Sequence, residues 1–349
     1  MSFAFTARLP LSRHAVDRDH LRRAGENLFE GLRTDARARV LPLWRGKALV
    51  GDTAGGDTDA LNLLWFPTEQ FPAHLTSVYL GLSLDDTAAE PTGTPLVVTI
   101  LDDPAAAELE PDENRWRGLR ELATMLSDRD AGAFTEALAM ANWHDSHRHC
   151  PRCGAPTAIE DGGWTRRCPA DGSQVFPRTD PAVIVLVTDA EDRLLLGSNA
   201  MWEKKRYSLL AGFVEPGEAL EGAVIREVHE ESGLRVSHAE YLGSQPWPFP
   251  ASVMCGFSAR VAEGQDPDAL VPDGEEILDL RWFTREEIRR QDGEVILPGR
   301  ASIARAMLEH WLGDTAADRA APATPAAPAA PATPATPAPG GSRPPRGGA

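Results

Sequence analysis

The sequence lacks the features of a membrane protein and of a disulfide-stabilised one. Its longest purely apolar run, residues 182–187, is far too short to cross a bilayer. The first twenty residues lack the long apolar core and small-residue cleavage site of a secretory signal. Only four cysteines occur in 349 residues, and three of them lie between positions 150 and 168, which disfavours a disulfide framework. These absences predict a cytoplasmic protein without a membrane helix.

Positive charge is also scarce. The chain has 35 Lys and Arg against 52 Asp and Glu, which gives a formal net charge of -17. A protein that binds nucleic-acid backbone without sequence preference needs clustered Lys and Arg, so the composition argues against a long nucleic-acid footprint. A small anionic substrate would need a metal ion to screen its charge.

Changes in composition divide the chain into five segments. Short apolar runs alternate with Gly, Pro and Asp clusters over residues 1–124, which predicts a small strand-rich α+β domain. Apolar residues at helical spacing over 125–145 predict a connecting helix, and the cysteines lie in the next segment, 146–178. Residues 179–313 mix strand and helix patterns, which predicts an α/β layered domain. Residues 314–349 are almost entirely Ala, Pro, Thr and Gly, which predicts a disordered tail.

The cysteine segment contains one five-residue pattern twice. CPRCG at residues 150–154 and CPADG at residues 168–172 each resemble half of a zinc ribbon. The glycine after each second ligand permits the tight turn of such a loop. The pattern predicts a structural Zn²⁺ site formed by Cys150, Cys153, Cys168 and Asp171. His147 or His149 could replace Asp171, and a ribbon that has lost its metal is the other interpretation, because carboxylate is a poorer zinc ligand than thiolate.

A second cluster of ligand-type residues lies on a helix predicted at residues 220–232. Glu227, Glu230 and Glu231 are spaced i, i+3 and i+4, so they share one face of the helix. This face lies beside a predicted apolar stripe formed by Val224, Ile225 and Val228. The glutamates precede Gly233, a predicted C-terminal cap, where the helix dipole disfavours acidic side chains. A divalent cation would reverse this cost, and such oxygen ligands suit Mg²⁺ or Mn²⁺ together with substrate phosphate.

The spacing from residue 212 to residue 234 is that of the Nudix box. Gly, five residues, Glu, seven residues and then Arg-Glu-aliphatic-any-Glu-Glu-any-Gly-aliphatic are all present. The chain therefore resembles the Nudix hydrolase family, and the resemblance implies an α/β/α sandwich. It implies that the catalytic residues are Glu218, Arg226, Glu227, Glu230 and Glu231. The last three would bind metal, Glu218 would support the site and Arg226 would orient the carboxylates, with Glu231 as the leading candidate for catalytic metal ligand or base.

A second motif narrows the resemblance. Residues 244–252 read SQPWPFPAS, which is similar to the SQPWPFPxS signature of NADH pyrophosphatases within the Nudix family. Three prolines predict an extended backbone that presents Trp247 and Phe249 rigidly, while Gln245 offers both a donor and an acceptor. The order of N-terminal domain, zinc ribbon and Nudix domain also matches these enzymes, and the resemblance covers about residues 143–312.

This resemblance implies a homodimer that hydrolyses NAD(H) to NMN(H) and AMP. It implies substrate contacts from Phe176, Phe213, Gln245, Trp247, Glu276 and Ala304. Phe213 and Phe176 would sandwich a base, and Glu276 would also assist at the metal centre. Phe176 stands where relatives carry Tyr, which keeps stacking but removes a hydroxyl, and it is a candidate for the partner subunit's site. The alternatives are removal of NAD caps from RNA, which cuts the same bond, and a non-catalytic nucleotide-sensing module.

Overall fold

Three sheets organise the part of the chain that the computed structural model describes, residues 5–52, 61–86, 90–290 and 295–313. The predicted tail at 314–349 lies outside these residues. Within them, no helix has both the length and the apolar character needed to cross a bilayer. The mixed α/β architecture that the sequence predicts is confirmed.

The first sheet is formed by short strands of the N-terminal part. Its strands are β1 (Val16–Asp17), β2 (Arg39–Trp44), β3 (Lys47–Asp52), β4 (Leu61–Leu63), β5 (Phe66–Pro67), β6 (Ser77–Ser83), β7 (Pro95–Ile100) and β8 (Trp116–Gly118). The order is β1-β6-β7-β2-β3-β4, with β5 paired to β2 and β8 paired to β3. These strands contain the apolar runs from which the sequence predicted strands.

Helices cover both faces of this sheet. They are α1 (His20–Arg23), α2 (Leu28–Thr34), α3 (Asp103–Leu109), α4 (Leu119–Leu122) and α5 (Asp128–Ser146). Leu41 of β2 packs in one core cluster with Phe134 of α5, whereas its neighbour Val40 packs in a second cluster with Leu32 of α2. Because successive side chains of a strand point to opposite faces, one apolar strand can fill both cores.

The second sheet is the small ribbon of β9 (Ala158–Glu160), β10 (Thr165–Arg167) and β11 (Gln174–Val175), in the order β11-β10-β9. It is joined to α5 by the buried side chain of His144. The His144 Nε2 atom lies 2.8 Å from the carbonyl oxygen of Gly163, so Nε2 must donate a proton. The Nδ1 atom then accepts a hydrogen bond from Arg166 at 2.9 Å. His144 is therefore neutral, and burial lowers its pKa from 6.5 to about 4.

This lowered pKa predicts a pH-dependent stability. The unfolded chain binds a proton at His144 below about pH 6.5, whereas the folded chain does so only near pH 4. The stabilising contribution is therefore complete above pH 6.5 and is lost as the pH falls towards 4. Between pH 7 and pH 5, the free energy of unfolding should fall by about 2 kcal/mol more in the wild type than in His144→Gln, whose amide keeps both hydrogen bonds without titrating. Urea unfolding of both proteins at the two pH values measures this, and parallel losses would refute it.

The third sheet belongs to the C-terminal part. Its strands are β12 (Asp180–Thr188), β13 (Leu194–Asn199), β14 (Leu210–Phe213), β15 (Val236–Trp247), β16 (Ser252–Val261) and β17 (Ile277–Phe283). The order is β15-β16-β12-β13-β17, with β14 paired to β12, and β12 and β16 run parallel. The accompanying helices are α6 (Leu220–Ser232), α7 (Arg285–Arg290) and α8 (Ile303–Leu312).

The helices α6 and α8 pack on opposite faces of the third sheet. Val183 and Val185 of β12 share a core cluster with Val228 of α6. Ile184, the residue between them, shares another cluster with Met307 of α8. The alternating strand thus produces the α/β/α layers that the family resemblance implied.

A segment from the opposite end of the chain completes the core under α8. Phe5 and Leu9 are buried in the same cluster as Met307. The Ser12 hydroxyl donates to the carbonyl oxygen of Ser244 in β15 at 2.8 Å, across 232 positions of sequence. Residues 5–12 therefore connect the N-terminal part to the third sheet.

Candidate metal centre and nucleotide site

Helix α6 places three glutamates beside the third sheet. It ends at Gly233, whose φ of 74° is left-handed, so the predicted glycine cap is present. Val224 and Val228 are buried, but Ile225 is 48% exposed and does not belong to the apolar stripe as predicted. The buried face of the helix is formed by Ala223, Val224 and Val228, which belong to one core cluster, and position 225 lies outside it.

Glu231 is the least exposed of these glutamates. It is 6% exposed, and its Oε2 atom has no hydrogen-bond partner among the described residues. Burial, and after it the charges of Glu276 and Glu227, raises the pKa of Glu231 to about 8. A buried carboxylate without a partner is costly, and an oxygen-preferring cation at Oε2 would compensate for this cost.

Arg226 holds the neighbouring carboxylates in place. Its Nε and one terminal nitrogen donate to the two oxygens of Glu218, both at 2.8 Å. Its other terminal nitrogen donates to Glu227 at 2.8 Å and to Glu230 at 3.0 Å. The Arg226 hydrogen bonds hold the pKa of Glu218 down at about 2 and raise the pKa of Arg226 itself. One guanidinium group thus orders three carboxylates.

Gly212 lies against the carboxylate of Glu227. A Cβ atom at position 212 would stand 2.0–2.2 Å from the Cδ, Oε2 and Oε1 atoms of that group. Burial raises the pKa of Glu227, against the hydrogen bond from Arg226. The glycine of the box is therefore required here by the space that the glutamate occupies.

Two further polar residues lie at this site, and sequence analysis did not identify them. Asn199, at the end of β13, donates from its side chain to Glu276 Oε1 at 3.1 Å. Asp273 accepts from the backbone nitrogen of Glu276 at 2.7 Å and from that of Glu275 at 2.6 Å. Glu276 itself is exposed and is oriented by these two neighbours.

Two of the predicted substrate residues, Phe213 and Gln245, lie on the face of the sheet that carries α8. Phe213 pairs with Ala182, Ala182 pairs with Met254, and Met254 pairs with Gln245, so one row crosses four strands. Gln245 is fully buried and donates from Nε2 to the Ala301 carbonyl oxygen at 2.9 Å, while its Oε1 atom has no partner among the described residues.

The other predicted substrate residues include one that is buried and one that is exposed. Ala304 is buried on α8, in the core cluster of that face. Phe176 and Phe213 are both exposed, and no ring contact joins them within the described part of the chain. A sandwich made by these two rings therefore needs a rearrangement or a second subunit.

The SQPWPFP segment packs against the N-terminal part. Trp247 and Phe249 are half-buried against its core, with ring centroids 4.9 Å apart. The guanidinium of Arg120 lies 4.0 Å from the Phe249 ring centroid and 5.1 Å from that of Trp247. The extended backbone predicted for this segment is wrong beyond Trp247, because residues 248–251 form a turn. The Asn142 side chain fixes this turn by donating to the Pro248 and Pro250 carbonyl oxygens, both at 3.0 Å.

The ribbon brings its four predicted ligands together. One ligand atom from each of Cys150, Cys153, Cys168 and Asp171 lies within 4.8 Å of the others, and neither His147 nor His149 is part of this group. The Gly154 and Gly172 nitrogens each donate to the first cysteine carbonyl of their loop at 2.9 Å. Four donors in two equivalent turns suit a tetrahedral Zn²⁺.

Hydrogen bonds tune these donors differently. The Ser173 hydroxyl and backbone nitrogen hold the pKa of Asp171 at about 2. The same hydroxyl lowers the pKa of Cys150 to about 7, whereas burial raises that of Cys168 to about 11. Ser173 orients Asp171 within the group, because its backbone nitrogen donates to Asp171 Oδ1 at 2.9 Å and its hydroxyl donates to the same oxygen at 2.5 Å.

Comparison with known proteins agrees with this arrangement. The NUDIX domain profile matches residues 178–304, and the NADH pyrophosphatase zinc ribbon domain matches residues 145–176. The NADH pyrophosphatase-like rudimentary NUDIX domain matches residues 37–143. These three matches place a Nudix domain after a zinc ribbon, in the order that the fold shows.

Related proteins narrow the class. The chain is 40% identical over 220 residues to the NAD-capped RNA hydrolase NudC of Stutzerimonas stutzeri, covering 63% of this chain and 74% of that protein. It is 45% identical over 205 residues to a protein of the same name from Mycobacterium bovis, covering 55% of this chain but only 64% of that relative. A solved Nudix hydrolase from Nitrosomonas europaea is 25% identical, with a TM-score of 0.39 over 47% of this chain and 90% of that chain. The chain belongs to the NADH pyrophosphatase branch of the Nudix hydrolase family.

Proposed function

We propose that the protein is a metal-dependent hydrolase that cuts the pyrophosphate bond of NAD(H) into NMN(H) and AMP. The observation that carries this proposal is the buried Glu231, with its partnerless Oε2 atom, on the same helix face as Glu227 and Glu230. Family membership supports it, because every defined residue of the Nudix box is present.

The donor set fits Mg²⁺ or Mn²⁺. Glu227, Glu230 and Glu231 would hold the metal, with Glu276 beside them. A bound divalent cation would screen the phosphate charge and polarise the one bridging phosphorus–oxygen bond that water breaks. The chain contributes positioning: Arg226 fixes Glu227 and Glu230, and the bare backbone of Gly212 leaves room for Glu227. We assign to Glu231 the alternative role of base, which accepts a proton from the attacking water.

The substrate would extend from the glutamate-bearing face of α6 to the face of the third sheet on which α8 packs. There Phe213 offers an exposed ring for stacking, whereas the unused acceptor Oε1 of Gln245 is buried and would meet a substrate amide only after the residues around it move. Ala304 would line this pocket. We further propose a homodimer in which the partner supplies the second ring, because Phe176 does not contact Phe213 within one chain. A cytoplasmic location remains a prediction that the four free cysteines support.

The direct test is incubation of the purified full chain with NADH and either Mg²⁺ or Mn²⁺, with the products resolved by chromatography. AMP and reduced nicotinamide mononucleotide in equal amounts are the expected products. No cleavage with either metal would refute the proposal and favour the nucleotide-sensing module.

Removal of NAD caps from RNA is the second candidate, because the related proteins carry that name. The scissile bond is the same, so the relative kcat/KM values for NADH and for NAD-capped RNA decide which substrate is preferred.

Zinc binding by the ribbon can be tested separately. The full chain should contain about one Zn²⁺ per molecule, held by three thiolates and Asp171. Asp171→Cys should release zinc to a chelator more slowly than the wild type, because thiolate is the stronger ligand, and Asp171→Ala should release it faster. Chelator competition followed by a colorimetric zinc dye measures the rates. Wild-type protein with far less than one zinc, or equal rates in all three proteins, would contradict this assignment.

A further inference from the structure

An exposed turn lies beside the proposed metal centre, and apart from Asn199 its residues have no role in the hydrolysis described above. It comprises residues 199–206, between β13 and β14, and is here named the 199–206 turn. Met201 is 80% exposed and Trp202 is 41% exposed. Large apolar side chains in solvent next to an active site are candidates for contact with a ligand.

The 199–206 turn is joined directly to the acidic site. The Ala200 nitrogen donates to the Glu276 carbonyl oxygen at 2.8 Å, and the Asn199 side chain donates to Glu276 Oε1 at 3.1 Å. Asn199 Oδ1 in turn accepts from the Met201 nitrogen at 2.9 Å. Trp202 therefore lies three residues after Asn199, whose side chain contacts Glu276 of the proposed metal site.

The other end of the turn is fixed as well. The Ile296 nitrogen donates to the Lys205 carbonyl oxygen at 2.8 Å, and the Tyr207 nitrogen donates to the Ile296 carbonyl oxygen at 3.1 Å. Because the backbone of the turn is held at both ends, a ligand that binds there loses little entropy in ordering that backbone.

The charge of this turn is opposite to that of the protein. The chain contains three lysines, Lys47, Lys204 and Lys205, so two of the three lie here, in a protein of net charge -17. Lys204 is exposed, whereas Arg206 is occupied by an ion pair with Glu203 at 2.5 Å. An exposed aromatic ring next to exposed lysine is the combination with which proteins bind single-stranded nucleic acid.

We propose that the 199–206 turn binds the RNA chain that follows the adenosine of an NAD cap, with a base stacked on Trp202 and a phosphate at Lys204. This inference rests on the proposed function, since it concerns a larger substrate of the same site. A short contact of this kind agrees with the acidic composition, which disfavours only a long nucleic-acid footprint. NADH ends at the adenosine, so the turn should matter for capped RNA and not for NADH.

The test compares kcat/KM for NADH and for a short NAD-capped RNA in the full chain. Trp202→Ala should lower the value for capped RNA about tenfold and leave that for NADH unchanged, and Trp202→Phe should retain most of the wild-type value. Lys204→Gln should make the slope of log kcat/KM against log salt for capped RNA shallower by about 0.7. Lys47→Gln, which removes the lysine of the N-terminal sheet, is the matched control and should change neither quantity.

The outcomes separate this inference from the proposed function. Wild-type protein that cleaves neither substrate would refute the proposed function itself. Cleavage of NADH with no cleavage of capped RNA, or equal effects of Trp202→Ala on both substrates, would overturn only the role of the turn. Conversion of a dimer to a monomer by Trp202→Ala, seen by light scattering, would also overturn it, because the ring would then be a subunit contact.

Discussion

Glu231→Gln is expected to lower kcat for NADH hydrolysis about 10²- to 10⁴-fold while the fold is retained. Glutamine keeps the volume of the side chain but can neither bind a divalent cation as an anion nor accept the proton of the attacking water. Because the wild-type carboxylate is buried with an unpartnered oxygen, its neutral replacement should be at least as stable without metal. Product chromatography measures the activity, and thermal unfolding measures the stability.

The matched control for this prediction is Glu221→Gln. Glu221 lies in the first turn of the same helix and is exposed, so its replacement should leave kcat unchanged. Added Mg²⁺ or Mn²⁺ should raise the melting temperature of the wild type and of Glu221→Gln, and should have a smaller effect on Glu231→Gln. A Glu231→Gln protein with near-normal kcat would transfer the catalytic role to another carboxylate.

Gly212→Ala is expected to have the second large effect. The added methyl group would stand within 2.2 Å of the Glu227 carboxylate, so the glutamate must leave its position and its hydrogen bond with Arg226. We expect kcat to fall by about 10²-fold, because a proposed metal ligand is displaced, and the free energy of unfolding to fall by about 1–3 kcal/mol from overpacking.

A second glycine of the same box provides the control. A Cβ atom at Gly222 would meet Glu218 Cγ at 3.4 Å, an ordinary contact. Gly222→Ala should therefore keep its activity and gain up to about 1 kcal/mol of stability from helix propensity. If both alanine variants behaved alike in kcat and in urea unfolding, the close approach of Gly212 to Glu227 would have no functional importance.

Local sequence predicted the parts of the site that lie on one element. The spacing of Glu227, Glu230 and Glu231 is sufficient to place them on one helical face, and Gly233 is sufficient to predict where that helix ends. The two CPxxG loops could also be predicted from local sequence, because each is a closed turn with its own backbone hydrogen bonds. Periodicity and capping act over a few residues, so a single sequence contains them.

The features that sequence did not predict depend on distant segments. Glu231 is buried where α6 packs against β14, and no spacing within α6 indicates this. Asn199 meets Glu276 only after β13 and β17 have paired. The turn after Trp247 is set by Asn142, which lies 106 positions from Pro248. The likeness of residues 37–143 to a rudimentary Nudix domain was also not predicted, because this region lacks the glutamate box.

The position of residues 5–12 has a consequence for the order in which the protein folds during synthesis. Phe5, Leu9 and Ser12 leave the ribosome early, but the strand and helix against which they pack are translated more than two hundred positions later. Until then these apolar side chains have no native partner and are available to chaperones or to aggregation. An isolated fragment of residues 179–313 would lack them altogether and would expose the core under α8. Closure of that core is therefore a late event, which follows synthesis of α8.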